Sequence, residues 1–163
     1  MEKTTWLPAG WRRPADRVQL TSCHHLRPIR ATDVDLHMHA VLSSQARLWS
    51  IYGASRGWPP ARLTVEQDRK DLAHHESQME QDASFSYALF DTGETELLGC
   101  VYVDPPVVRR TDAEISWWVV DWLVGGPIEA VLDDLVRRWT EEQWPFSNPR
   151  YPHNTPQGQR EHA

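Results

Sequence analysis

Between residues 112 and 144 the spacing of apolar positions changes once, and the change predicts a strand, a turn and a long helix. Seven of the eight residues in 114–121, EISWWVVD, are aromatic, β-branched or otherwise compatible with a buried strand, and Asp121 marks its exit. Gly125-Gly126 supplies the turn, and Pro127 suits the first helical position, where its missing N–H costs nothing. Ile128, Val131, Leu132, Leu135, Val136 and Trp139 then recur at steps of three and one, the stripe of a helix lying on a sheet. Asp133–Arg137 and Asp134–Arg138 add i,i+4 pairs in the favourable orientation, and Pro145 ends the helix.

The same reading carries upstream. Residues 24–30, HHLRPIR, predict a short strand whose Pro28 suits an edge. Thr32 is expected to cap a helix through about residue 43, with Asp33 and Asp35 facing its positive end and Val34, Met38, Val41 and Leu42 as its buried stripe. Residues 45–52 continue the helical region until Gly53, Gly57, Pro59 and Pro60 interrupt it. Thr64 and Gln67 form a capping-box pattern for a second helix to about residue 81, whose sparse apolar positions predict a narrow contact seam. Two alternating runs, 85–90 and 97–103, flank Asp91-Thr92-Gly93-Glu94 as a hairpin. The order is strand, two helices, three strands, helix. Residues 1–22 show no period and read as an irregular arm laid across the body by Trp6 and Trp11. Residues 23–146 form the domain, and 147–163, with Pro149, Pro152 and Pro156, read as a poorly ordered tail.

Composition narrows the class. A chain of 163 residues with 40% hydrophobic and 25% charged residues is ordinary for one soluble domain. Nine tryptophans are many, and imply a large aromatic core or the walls of a groove. Residues 1–30 hold six basic and two acidic side chains, net +4, so the remainder carries −10 within the total of −6. An acidic body argues against nucleic acid as a partner, because phosphate binding needs clustered Lys and Arg. Two cysteines, Cys23 and Cys100, build no disulfide framework, so a cytoplasmic location is expected. No apolar run reaches the ~18 residues of a membrane span, and Arg12-Arg13 is followed by no apolar segment that would make it an export signal.

Three local matches carry a family resemblance: Leu26-Arg27-Pro28-Ile29-Arg30 with Thr32-Asp33, Leu98-Gly99-Cys100-Val101, and Ala113-Glu114-Ile115-Ser116-Trp117-Trp118-Val119. In this order they resemble the first strand and helix, the third strand and the fourth strand of GCN5-related N-acetyltransferases (GNAT), over residues 24–145. The resemblance implies an α/β fold with a mixed, mostly antiparallel sheet flanked by helices, shortened so that it lacks most of the usual C-terminal strands. It also implies acetyl-CoA as co-substrate, lying in a wedge where the fourth strand splays from the fifth. Backbone groups around Trp118, Val119 and Val120 would meet the pantetheine arm, and N–H groups around Gly125 and Gly126 the pyrophosphate. The loop departs from the family pattern: Val124 stands where a basic residue is common, Pro127 replaces the second glycine and removes a donor, and Glu129 brings a carboxylate close to any diphosphate.

Candidate chemistry follows. Asp104 and Glu114 flank one loop, where either could act through water as the base for an acceptor amine, or simply pair with Arg109 or Arg110. Tyr151 is the one tyrosine near the C-terminus that could protonate a leaving thiolate. Neither His24-His25, His37 with His39, nor His74-His75 has the i,i+3 or i,i+4 spacing of a helical metal site, so no metal is expected, and an acceptor cleft is the alternative place for His74 or His75. The resemblance implies an acyl-CoA-dependent N-acetyltransferase acting on an amine of a small molecule or protein. The alternative is a GNAT-derived binding module, no longer catalytic, whose open sheet edge is completed by a second copy.

Overall fold

The computed structural model describes residues 6–154. Six strands lie side by side in chain order: β1 (Val18–Thr21), β2 (His24–Pro28), β3 (Phe85–Asp91), β4 (Leu97–Asp104), β5 (Ala113–Val119) and β6 (Pro149–Arg150). Every neighbouring pair is antiparallel except β5 and β6, which run parallel. Four helices complete the fold: α1 (Val34–Ser43), α2 (Gln45–Arg56), α3 (Val65–Glu80) and α4 (Pro127–Gln143). The mixed, mostly antiparallel α/β architecture is the expected one, and the strand read as the fourth is β5.

Several boundaries differ from the sequence reading. Part of the stretch expected as an irregular arm is β1, which folds back on β2, so β2 is interior and Pro28 lies at its end rather than on an edge. Ile29 N–H resumes the ladder at once by donating to Ser86 O at 3.0 Å. The first helix opens on a 3-10 turn, Ala31–Asp33, and Asp33 rather than Thr32 makes the cap, accepting from Arg30 N–H at 2.8 Å. Residues 147–154, read as part of a loose tail, are ordered. Asp112 accepts from the N–H groups of Ser147 at 2.6 Å and Asn148 at 3.0 Å, which sets β6 beside β5 despite its proline. Residues 155–163 lie outside the described residues.

Strand alternation divides the sheet into two buried faces. Ser86, Tyr102 and Ser116 are aligned on one face, where α2 and α3 reach them through Tyr52 and His75. Tyr87, Val101 and Trp117 align on the other, which α4 covers: Trp117 Nε1 donates to Asp133 at 2.7 Å, and Trp139 meets Tyr87 edge-on at 5.0 Å. The excess of tryptophan is largely spent here. Trp11, Trp139 and Trp144 cluster with Phe85, and Trp6 stacks on Phe146 at 5.6 Å, fastening the N-terminal arm to the end of α4.

Two local constraints hold the sheet in register. Arg27 on β2 grips Asp33 with both terminal nitrogens, at 2.9 and 2.8 Å, reaches Glu94 in the β3–β4 turn at 2.9 Å, and lies 4.2 Å over the Phe90 ring. Gly99, opposite Val119, lies where a Cβ would stand 2.2 Å from the carbonyl oxygen of Trp118, so no other residue fits between β4 and β5. Gly99→Ala is expected to destabilise the fold by about 1–3 kcal/mol, seen as a lower Tm with the sheet signature retained.

Arg27 first, and then the His25 contact, holds the Glu94 carboxyl down at about 2. A carboxyl whose pKa is lower in the folded than in the unfolded state stabilises above its unfolded value, ~4.3, and loses that contribution as pH falls toward 2. Denaturant midpoints measured from pH 5 to about pH 2 are expected to fall more steeply for the wild type than for Glu94→Gln. Equal slopes would remove Glu94 from the acid response.

Candidate active site

The site grows from the outer edge of β5. Its inner edge is laddered to β4, with Trp118 opposite Cys100 and Val120 N–H donating to Leu98 O at 2.9 Å. Antiparallel alternation therefore turns the peptide groups of Trp117 and Val119 outward, and those of Trp118 and Val120 inward. Of the three residues expected to meet a pantetheine arm, Val119 alone presents its main chain to the open edge. The side chains of Trp117 and Trp118 are each 2% exposed and form core rather than groove wall.

β6 accompanies β5 only at Ala113–Pro149 and Glu114–Arg150, then departs. The wedge so opened is lined by polar backbone that the chain's own side chains satisfy. Asn154 bridges Trp117, its Oδ1 accepting from the N–H and its Nδ2 donating to the C=O, both at 3.1 Å. Arg47 on α2 donates to the Val119 carbonyl and, at 2.7 Å, to Asp121. Ser44, between α1 and α2, accepts from Asp121 N–H at 2.9 Å and fixes that corner.

At the next corner a 3-10 turn, Asp121–Leu123, leads through Gly125 at φ 79° into α4. Gly125 N–H donates to Glu129 Oε1 at 3.0 Å, and Gly126 N–H to Leu123 O at 3.1 Å. Pro127 has no N–H. The two glycines expected to cradle a diphosphate thus have their donors engaged, one by a carboxylate in the position an anion would take. Glu129, whose carboxylate the sequence places close to any diphosphate, takes that position itself: four residues beyond a left-handed glycine it folds back over the helix N-terminus, where negative charge is favoured.

The acid–base candidates fall in two places. Asp104 and Glu114 are cross-strand partners on the face under α2 and α3. Among the described residues their partners are others than Arg109 and Arg110: Asp104 binds Arg56 at 2.7 Å and accepts from Ser84, and Glu114 Oε1 binds Arg150 at 2.8 Å. Glu114 Oε2 is buried without a hydrogen-bond partner. Tyr151 lies on the other face, its hydroxyl 2.9 Å from Thr140 Oγ1 and its ring beneath Arg137 and against Trp117. The structure does not bring Tyr151 to the two carboxylates.

Among the described residues no group of three or more His, Cys, Asp or Glu side chains is arranged to hold a metal ion. No helix among them is long and apolar enough to cross a membrane. His37 pairs instead with the buried Asp68 at 2.7 Å, and His74 and His75 line a cavity of about 180 Å³ between α2, α3 and the sheet.

No protein-family model and no curated protein sequence matches the chain. Solved structures do. The chain is similar to RimL, a ribosomal-protein alpha-N acetyltransferase solved with coenzyme A, at 19% identity and TM-score 0.61, over 76% of this chain and 67% of that one. It resembles a ribosomal-protein-alanine acetyltransferase from Vibrio fischeri at 14% identity and TM-score 0.57, over 78% and 68% of the two chains. The microcin self-immunity acetyltransferase MccE, solved with acetyl-CoA and AMP, matches at 12% identity and TM-score 0.59, over 78% and 68%. The chain has the GCN5-related N-acetyltransferase fold.

The Asn154 bridge has a direct readout. Asn154→Ala is expected to lower amide-exchange protection at Trp117 by about five- to tenfold, the worth of ~1 kcal/mol for a net hydrogen bond, and to leave Trp118 unchanged. Equal loss at both residues would mean that the substitution loosens β5 as a whole.

Proposed function

We propose that this chain is an acyl-CoA-dependent N-acetyltransferase that uses the wedge between β5 and β6. The observation carrying this reading is chemical likeness: an amide, that of Asn154, bridges the outward peptide group of Trp117, and a carboxylate, that of Glu129, sits on Gly125 N–H. The wedge therefore already accommodates, from the chain itself, the two kinds of group that a pantetheine arm and a diphosphate would offer. Acetyl-CoA, when bound, supplies the activated acetyl thioester. Both internal groups are single side chains and are displaceable without unwinding a strand.

Within that frame the chain's own residues take defined parts. The outward N–H of Val119 donates to the acyl carbonyl oxygen as charge builds there. Glu114, through its buried and unpartnered Oε2, accepts the proton of the acceptor amine by way of water. The nitrogen forms a bond to the acyl carbon as the carbon–sulfur bond breaks, and the thiolate leaves toward the β6 side. Asp104, held by Arg56 and Ser84, is a positioning residue for that end of the ladder. Tyr151, directed at Thr140, is a support for Trp117 rather than the proton donor. The acceptor is an amine of a small molecule or protein, and both cysteines are free, as suits a cytoplasmic enzyme. The rival reading, a module completed by a second copy, loses its motive because residues 149–154 of the same chain cover the edge in question.

Isothermal titration with acetyl-CoA tests the site. Binding in the micromolar range is expected, abolished by Gly125→Glu, which adds a side chain and a charge at a positive-φ glycine, and strengthened about tenfold or less by Glu129→Gln, which removes a like charge. No heat at millimolar ligand, with folded protein, would end the enzyme reading.

A further inference from the structure

The cavity between α2, α3 and the sheet contains chemistry that acyl transfer does not use. Asp68 lines it with 0% exposure; its Oδ2 contacts His37 Nδ1 at 2.7 Å, while Oδ1 is buried with no hydrogen-bond partner. A buried carboxylate oxygen left without a donor is costly, so the position favours a ligand that brings one, above all a charged one. Around it stand the rings of Tyr52, Trp58 and Tyr102, with Tyr52 and Trp58 edge-on at 5.8 Å and Tyr52 and Tyr102 at 5.9 Å. Ring faces attract cations, and two of these already attract one: the Arg56 guanidinium lies 5.4 Å from Tyr52 and 5.3 Å from Tyr102.

Two carboxylates, Asp68 and Asp71, line the cavity beside His37 and His74. Arg56 is matched by Asp104 at 2.7 Å. Burial depresses His75 to about 4, so it is neutral at pH 7. Asp71 at the rim titrates above the ordinary carboxylate range, through burial and then the neighbouring Asp68, and a cation between them would relieve that repulsion. The cavity's 180 Å³ is about six water volumes, enough for an alkylammonium of about four or five heavy atoms. It also adjoins the wedge: Tyr52 donates to Ser116 on β5 at 3.2 Å, and its ring meets His153 of the C-terminal segment at 5.1 Å.

We propose that this cavity binds the protonated nitrogen of a small aliphatic amine, with Asp68 Oδ1 as acceptor and Tyr52, Trp58 and Tyr102 as its aromatic walls. A nitrogen held there as ammonium has no lone pair and cannot attack a thioester. The acceptor therefore carries at least two basic nitrogens, one recognised by Asp68 and another that reacts, a diamine-like compound. This second step rests on the acetyltransferase reading; the binding step does not.

The two are separated by titrating the protein alone, without acetyl-CoA, with n-butylamine, 1,4-diaminobutane, n-butanol and butyrate at neutral pH, following the heat of binding. Both amines are expected to bind, and butanol and butyrate at least about tenfold more weakly. Asp68→Asn is expected to weaken the amines about tenfold or more. Because that change also touches His37, Trp58→Leu serves as a second variant, expected to weaken the amines while the circular dichroism spectrum stays that of the wild type. With acetyl-CoA added, 1,4-diaminobutane is acetylated and n-butylamine is not. Butanol binding as well as butylamine, butyrate binding better, or no amine binding by folded protein at roughly 10 mM overturns the cavity assignment. Amine binding with neither amine acetylated leaves the cavity standing and overturns the diamine acceptor.

Discussion

A strand has two edges, and in this fold the outer edge of β5 is the constraint on which the rest depends. Its inner edge is fully used by β4, at a separation so close that only Gly99 fits. On the outer edge a two-residue parallel strand covers the start and then leaves. Buried peptide groups left without partners are costly, so everything downstream of Glu114 must supply donors and acceptors from elsewhere. Asn154 does so for Trp117, Arg47 for the Val119 carbonyl, and Ser44 for Asp121 N–H. The α1–α2 junction, the C-terminal segment and the α4 turn converge on one corner because that corner is where the sheet is incomplete.

The same corner explains the two-sided character of the molecule. Side chains of β5 alternate between an aromatic layer under α4 and a polar layer under α2 and α3. Trp117 and Tyr151 belong to the first, and Ser116 and Glu114 to the second. The carboxylates Asp104 and Glu114 lie on the face under α2 and α3, whereas Tyr151 supports the opposite one.

Elements with strong local periodicity were legible from the sequence alone. The hairpin around Gly93 and the Thr64–Gln67 cap depend on contacts within a few residues, and the structure reproduces them, while the α4 stripe is buried at Leu132, Val136 and Trp139 and leaves Val131 exposed. What was not legible depends on distant partners. Asp104 pairs with Arg56 on α2 rather than with the nearby arginines, and His37 finds Asp68 at 31 positions' distance. β1 is four residues long with no clean alternation, and the segment after Pro145 is ordered by Asp112, which composition gives no reason to connect with it. In the loop, proline and glycine marked the turn correctly, but the occupancy of its N–H groups was set by Glu129 folding back, a matter of rotamer rather than of residue type.

The Asn154 bridge differs in kind from the ladder it extends. A β-ladder opens only by peeling its strand, with all its bonds coupled; a carboxamide held by two bonds opens by torsion about its own χ angles. Side-chain torsions of this sort relax in picoseconds to nanoseconds when exposed, against microseconds or longer for collective movements. The outermost rung of this sheet is therefore a latch with its own hinge, able to swing free while β5 keeps its shape.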